Sequence, residues 1–230
     1  MAELRILPLA GLPEIEPGSD LGPLLGDAVE RAGRLAEGDI VVVAQKVVSK
    51  AEGRVEHAPD YLEVILREAR AVRRRRDDLV IAETPHGFVC ASAGVDRSNA
   101  PGEGWVVLLP EDPDASAARI RAALAERFGV APAVIVSDSF GRAWRQGTTD
   151  VAIGVAGMHP LLDLRGTQDV RGYTLASTVI AVADELAGAA ELVMGKANGV
   201  PAALIRGYRA PPGDGTAREL VMPPERDLFQ

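Results

Sequence analysis

The 230-residue, 24.2-kDa chain is 47% hydrophobic and 25% charged, enough apolar material to bury a substantial core in one large domain or two small ones. A net charge of −8 and a pI near 5.0 exclude a general binder of nucleic acid or anionic membrane, so a polyanionic ligand would need a local cationic site. The single cysteine, Cys90, excludes an internal disulfide and a cysteine-based zinc site.

Residues 4–9 read as a first strand, closed by the turn-rich GLPEIEPGSD. No cationic leader with an apolar core and cleavage site opens the sequence, which sets the expectation of a cytoplasmic protein. Residues 21–35 carry helical spacing of apolar side chains, ended by Glu37, Gly38 and Asp39. Residues 40–43 form a short, fully apolar strand, followed by the polar, partly basic QKVVSKAEGR. Residues 61–72 look helical and run into Arg73, Arg74, Arg75 and Arg76, which read as a solvated helix end whose charge suits a helix C-terminus.

Residues 79–82 and 87–91 read as a hairpin around Thr84-Pro85-His86-Gly87, and residues 105–109 as another strand. Asp114 and Ser116 are candidate N-caps for a helix reaching about Phe128, with Gly129 as its C′ residue. Strands are expected at 133–136 and 151–155, a long amphipathic helix at 175–194 and a strand at 202–205. Asp184, Glu185 and Glu191 break the apolar run of that helix, which cannot cheaply span a bilayer, and are assigned to solvent or to capping, with entry of one of them into the site as the alternative. Residues 209–230 form a proline-rich tail expected to lie over the surface. Strands fall both beside one another and between helices, so the expected class is α+β, with mixed sheets.

The chemistry concentrates where two apolar strands give way to polar residues. In VIVSDSFGRAWRQG, residues 134–147, the strand delivers Asp138 and Ser139, then Gly141, Arg142 and Arg145. In FVCASAGVDRSN, residues 88–99, it delivers Asp96, Ser98 and Asn99. Carboxylates beside hydroxyls suit a hard cation such as Mg2+ or Mn2+, and two converging strands of this kind could hold a metal pair that neutralises polyphosphate. Arg142 and Arg145 are candidates to clamp substrate carboxylates or a transferred phosphoryl group. A turn-capping Asp with surface-paired arginines fits the same residues. No P-loop and no dinucleotide fingerprint occurs, so phosphate donors fall to residues 11–14, 45–50 and 194–201, each offering lysine or unhindered backbone amides.

Taken together, GLPEI, VVVAQKVVSKAEGR, SAGVDRSN, LLPEDPDASAARIR, VIVSDSFGRAWRQG, DVAIGVAG, ADELAGAAELVMGK and GVPAALIRG, in this order over about residues 4–208, resemble the coenzyme F420-0:L-glutamate ligase family. The resemblance implies a single α+β ligase domain of two intertwined subdomains, assembled as a homodimer. It implies a GTP-dependent amide ligase using Mg2+ or Mn2+, two ions per site, and a potassium ion. Its small-molecule substrates would be coenzyme F420-0, L-glutamate and GTP, with no nucleic-acid or membrane partner. Asp96 and Asp138 would be metal ligands, with Ser139 at the second metal. Nucleotide contacts would come from Leu12, Pro13, Glu14 and Ile15, from Gln45, Lys50 and Asn99, and from Met194, Gly195, Lys196, Ala197, Asn198, Gly199 and Val200.

Two positions depart from the pattern of archaeal members, which carry an acid where this chain has Lys196 and Ser or Thr where it has Gln45. Bacterial relatives often add a flavin-binding domain, for which these 230 residues hold no counterpart. Two other readings share the same residues: a metal-dependent nucleotide-binding module, and an amide ligase for another small phosphorylated acid.

Overall fold

In the computed structural model, which describes residues 3–228, the chain opens with β1 (Arg5–Pro8) and α1 (Leu21–Arg31), the helix capped by Asp20, whose side chain accepts from Gly22 N. There follow β2 (Ile40–Ala44), α2 (Gln45–Ala51), β3 (Val55–His57), α3 (Tyr61–Glu68), β4 (Ala71–Arg76), β5 (Leu79–Glu83), β6 (Val89–Ala91), β7 (Trp105–Val107) and α4 (Pro113–Phe128). The chain then forms β8 (Ala133–Arg142), β9 (Arg145–Ala156), β10 (Leu162–Asp163), β11 (Val179–Ile180), α5 (Val182–Met194) and β12 (Ala202–Arg206). Helices and mixed sheets share the chain, so the expected α+β class holds.

The main sheet runs β1-β12-β2-β8-β9. Its centre is apolar because it is covered on both faces: Val41, Val42 and Val43 on β2 and Val134, Ile135 and Val136 on β8 are wholly buried. β2 and β8 are parallel, with Val43 opposite Val136 and Ala44 opposite Ser137, whereas β12 runs antiparallel to β2. α4 packs on β8 and β9 closely enough that a Cβ on Gly154 would come within 2.3 Å of Pro113 O. The sheet and its helices enclose one core cluster. A second cluster, built on Ile65, Val80, Ala82, Val95, Val106 and Leu108, belongs to α3, the β4-β5-β6 sheet and the β3-β7 pair.

Four expectations are corrected. Arg73 to Arg76 form not a helix end but the edge strand β4, where exposed arginines deter pairing with another chain. β8 does not stop at Val136. It continues to Arg142, hydrogen-bonded to β9 as a two-stranded ribbon, so Asp138 and Ser139 lie within a strand, opposite Val151 and Asp150. The cap of α4 is Asp112, whose carboxylate accepts from Ala115 N at 2.9 Å; Asp114 instead accepts from Val155 N and Ala217 N. The last helix begins at Val182, because Val179 and Ile180 pair with Leu162 and Asp163.

Gly129 ends α4 with φ 70°, as expected. The proline-rich tail is anchored: Thr216 and Glu219 form a capping box on a short 3-10 turn that buries Ala217. Among the described residues, no helix is long and apolar enough to cross a membrane.

Candidate active site

β2 and β8, being parallel, end on the same side of the sheet. There β2 turns into α2, and the loop from α5 to β12 crosses in front of them. Open α/β sheets offer a crevice at the carboxyl ends of parallel strands, and here that crevice is a cavity of about 410 Å³. Its walls include Leu12, Pro13, Glu14 and Ile15 from the β1–α1 loop, and Gln45, Lys46 and Lys50 from α2. Ser137, Asp138, Ser139 and Asp150 rise from the ribbon, and Glu191, Met194, Gly195, Lys196, Ala197, Gly199 and Val200 close the far side with Asn99. Gly195 leaves the helix at φ 61°, a left-handed conformation that lets the chain turn back over the strands.

Strand alternation divides the acids between two faces of the ribbon. On one face, Asp150 is buried and both carboxylate oxygens accept hydroxyl protons. Ser137 Oγ donates to Oδ2 at 3.0 Å, and Ser139 Oγ donates to Oδ1. The Lys196 ammonium in turn donates to Ser139 Oγ. On the other face is Asp138. No side-chain donor among the described residues bonds its carboxylate, and the Ser139 backbone N–H favours its ionised form. Burial pushes its pKa up to about 6; the Lys46 charge and that N–H oppose the shift, while nearby Asp150 adds to it.

Asp96 reaches the same neighbourhood from the second core. Its backbone pairs with Val107, and its carboxylate accepts from Ser98 N at 2.7 Å and Ser98 Oγ at 3.0 Å, with Lys46 Nζ at 2.6 Å. Burial opposes ionisation of Asp96, but the Lys46 and Ser98 contacts outweigh it and hold the carboxyl below its ordinary value. Cys90, on β6 beside Asp138, is pushed up to about 12, first by burial and then by the Asp138 charge. A thiol so disfavoured as thiolate is no nucleophile.

The donors suit a hard divalent cation. Asp96, Asp138 and Ser139 present oxygen, and Asp138 is a half-buried acid at the cavity wall whose charge a cation would relieve. Among the described residues, no group of three His, Cys, Asp or Glu side chains is already gathered in metal-holding geometry. Ammonium groups stand beside Asp96 and Ser139, where cationic charge is wanted.

The cavity thus gathers most of the residues singled out in the sequence. Asp96 reaches it through Lys46. Asn198 does not line it; it lies against Gly195 within the late loop. Arg142 and Arg145 lie outside the lining, exposed at the tip of the ribbon, where Arg142 donates to Gln146 O at 3.5 Å. Gln45 is buried, and its amide nitrogen is spent on Ser49 Oγ at 2.6 Å and Leu108 O at 2.9 Å, which ties α2 to the second core. Lys50 pairs with Glu14 at 2.5 Å.

Ser137 and Asp150 line the cavity without a sequence reading that pointed to them, whereas Lys46 belongs to the 45–50 segment already expected to face phosphate. Lys46 had a signal, since it shares an i,i+4 helix face with Lys50. Glu191 is the one of the three helix acids that enters the cavity, the alternative to a solvent or capping place.

Comparison with known proteins places these features in a family. The profile of the F420-0:Gamma-glutamyl ligase family matches residues 11–207. A Coenzyme F420:L-glutamate ligase of Methanothermobacter thermautotrophicus is 42% identical over 99% of this chain and 99% of its own length. The protein of the same name from Methanopyrus kandleri is 42% identical over 99% and 98%, and that from Methanocaldococcus jannaschii 40% over 85% and 86%.

Proposed function

The chain belongs to the F420-0:gamma-glutamyl ligase family, and from that premise we propose that it joins L-glutamate to coenzyme F420-0 by an amide bond, using GTP and an acyl-phosphate intermediate. The observation that carries this reading is the cavity beyond β2 and along β8, lined by Lys46, Lys50 and Lys196 and by Asp138 and Asp150, with Asp96 held at its edge by Lys46.

A carboxylate acylates amines poorly at neutral pH. Transfer of the γ-phosphoryl group of GTP to the acceptor carboxylate would release GDP and leave an acyl phosphate. Attack by the glutamate amine would then form the C–N bond, break the C–O bond and release phosphate and a proton. A later round would use a glutamate γ-carboxylate as the acceptor.

The residues fit the demands of these steps. The reaction crowds anions together, so preformed positive charge favours it most where negative charge builds up. Lys50 can exchange its Glu14 partner for a phosphate oxygen. Leu12, Pro13 and Ile15 offer an apolar wall for the base and ribose. Asp96 and Asp138 would hold Mg2+ or Mn2+, which when bound supplies charge neutralisation and alignment of the phosphates.

The test is to incubate the protein with GTP, Mn2+, coenzyme F420-0 and L-glutamate and to follow acceptor mass. Added glutamyl units, with GDP and phosphate release that needs both acceptor and glutamate, are expected. Retention of GTP with no mass gain would instead indicate a binding module.

A further inference from the structure

The loop from α5 to β12 folds back across 57 residues of sequence to place Lys196 Nζ on Ser139 Oγ. Resting on the metal-dependent reading above, we propose that Lys196 is a tethered cation that takes the place of one divalent ion, so that each protomer binds a single divalent ion, at Asp96 and Asp138.

The argument is one of donors and charge. Ser139 has one hydroxyl proton, given to Asp150 Oδ1, and it accepts from the Lys196 ammonium. Asp150 takes a hydroxyl on each oxygen, from Ser139 and from Ser137. Each carboxylate oxygen on this face therefore already has a hydroxyl partner, and its cationic place is filled by a group that is part of the chain. A second ion would have to expel the ammonium and strip a buried carboxylate of its donors, which is costly in a low-dielectric setting.

The other face has the opposite character. Among the described residues Asp138 receives no side-chain donor, and Asp96, part-exposed, can trade Lys46 for a metal. Across both faces and the far wall, Asp96, Asp138, Asp150 and Glu191 face two ammonium groups, Lys46 and Lys196. One divalent ion would cancel that negative excess, which otherwise repels an incoming polyphosphate. Lys50, already paired with Glu14, lies outside this balance. Lys196 itself is exposed in the loop, so replacing it threatens no core.

Manganese binding to the full chain, read by electron paramagnetic resonance titration with and without GDP, tests this directly. Glutamyl addition is measured on the same samples. Wild type should bind one Mn2+ per protomer, and K196E, which supplies a carboxylate in place of the ammonium, should bind two. K196A should gain a weaker second site, and K196R should stay at one. Two ions on the wild type would overturn the proposal while leaving the ligase reading intact, provided glutamyl units are added. One ion on both wild type and K196E would overturn it as well, since Lys196 would then not be what fills the place. No bound Mn2+ in any variant would overturn both the proposal and the metal-dependent reading.

Discussion

Lys46 Nζ lies 2.6 Å from Asp96 Oδ2, and this ion pair joins α2, which packs into the main core, to the loop that leaves the second one. Lys46 also supplies the strongest charge opposing the upward shift of Asp138. One ammonium therefore serves two carboxylates that come from separate β-structures. The K46M variant should keep its fold and lose about 10²- to 10³-fold in glutamyl-addition rate, the usual cost of removing one preorganised charge from a site of this kind. K46R should fall between. Rates are read by mass of the acceptor and fold by circular dichroism; a wild-type rate in K46M would reduce the pair to a structural tie.

Asp138 makes the fold less stable in exchange for its place at the site. Its folded pKa, about 6, lies above the ordinary aspartate value of about 3.9 in the unfolded chain. The folded state therefore binds the proton more tightly. The contribution of this group to stability is fully present below pH 4, declines as pH rises through the window from about 4 to 6, and is absent above it. At pH 8 the ionised group costs at most about 3 kcal/mol, the equivalent of a two-unit shift. In the metal-free protein D138N should raise the unfolding temperature at pH 8 by several degrees, with little effect near pH 4, while abolishing glutamyl addition. Thermal melts at the two pH values check it, and equal changes at both would contradict the burial argument.

What the sequence made legible follows from what buries side chains locally. The apolar cores of β2 and β8 stand out because they are covered on both faces. The continuation of β8 through Ser139 and Gly141 does not, because its polar residues are held by pairing with Thr148, Thr149 and Asp150 on β9, a relation of register and not of composition. That missed register hid Asp150, which the pairing sets opposite Ser139. Arg73 to Arg76 misled in the same way, since an exposed edge strand carries no periodic apolar signal. Residues 175–181 mimic helical spacing by chance, while their backbone is engaged with the strand at Leu162 and the segment before Thr167. Asp138 stands out because it closes the wholly buried run Val134 to Val136, whereas the stretch before Asp96 is mixed, with Val89 exposed and Val95 buried.

The tip of the ribbon invites a different test. β8 rises about 3.3 Å per residue, so Arg142 lies about 10 Å beyond Ser139, past the cavity wall. At that range Arg142 and Arg145 can meet the acidic parts of a large acceptor but not the phosphates of a nucleotide inside. R142A and R145A should each raise KM for coenzyme F420-0 by about tenfold to a hundredfold, the worth of one charge-assisted hydrogen bond. KM for GTP and kcat should stay within about twofold. Steady-state kinetics with each substrate varied in turn decides the matter; a collapse of kcat at constant KM would put the arginines at the reacting atoms instead.

Far from the cavity, Asp39 and Arg206 form a pair whose role is purely structural. Asp39 is 1% exposed and receives Arg206 Nε at 2.8 Å, a terminal guanidinium nitrogen at 2.5 Å and Ala36 N at 2.8 Å. The same guanidinium also donates to Arg34 O at 2.8 Å, closing the turn between α1 and β2. R206A would strand a buried carboxylate, a change that costs about 3–5 kcal/mol. R206K should lose less, because it keeps the charge but not the two-pronged geometry. Urea unfolding at pH 7 measures both. The pair sits where Ile40 meets Ile205, whereas the cavity lies at the other end of these strands, where Val43 meets Ala202. The folded fraction of R206A should therefore keep its kcat, and a loss of kcat matching the loss of stability would show that this end of the sheet also shapes the site.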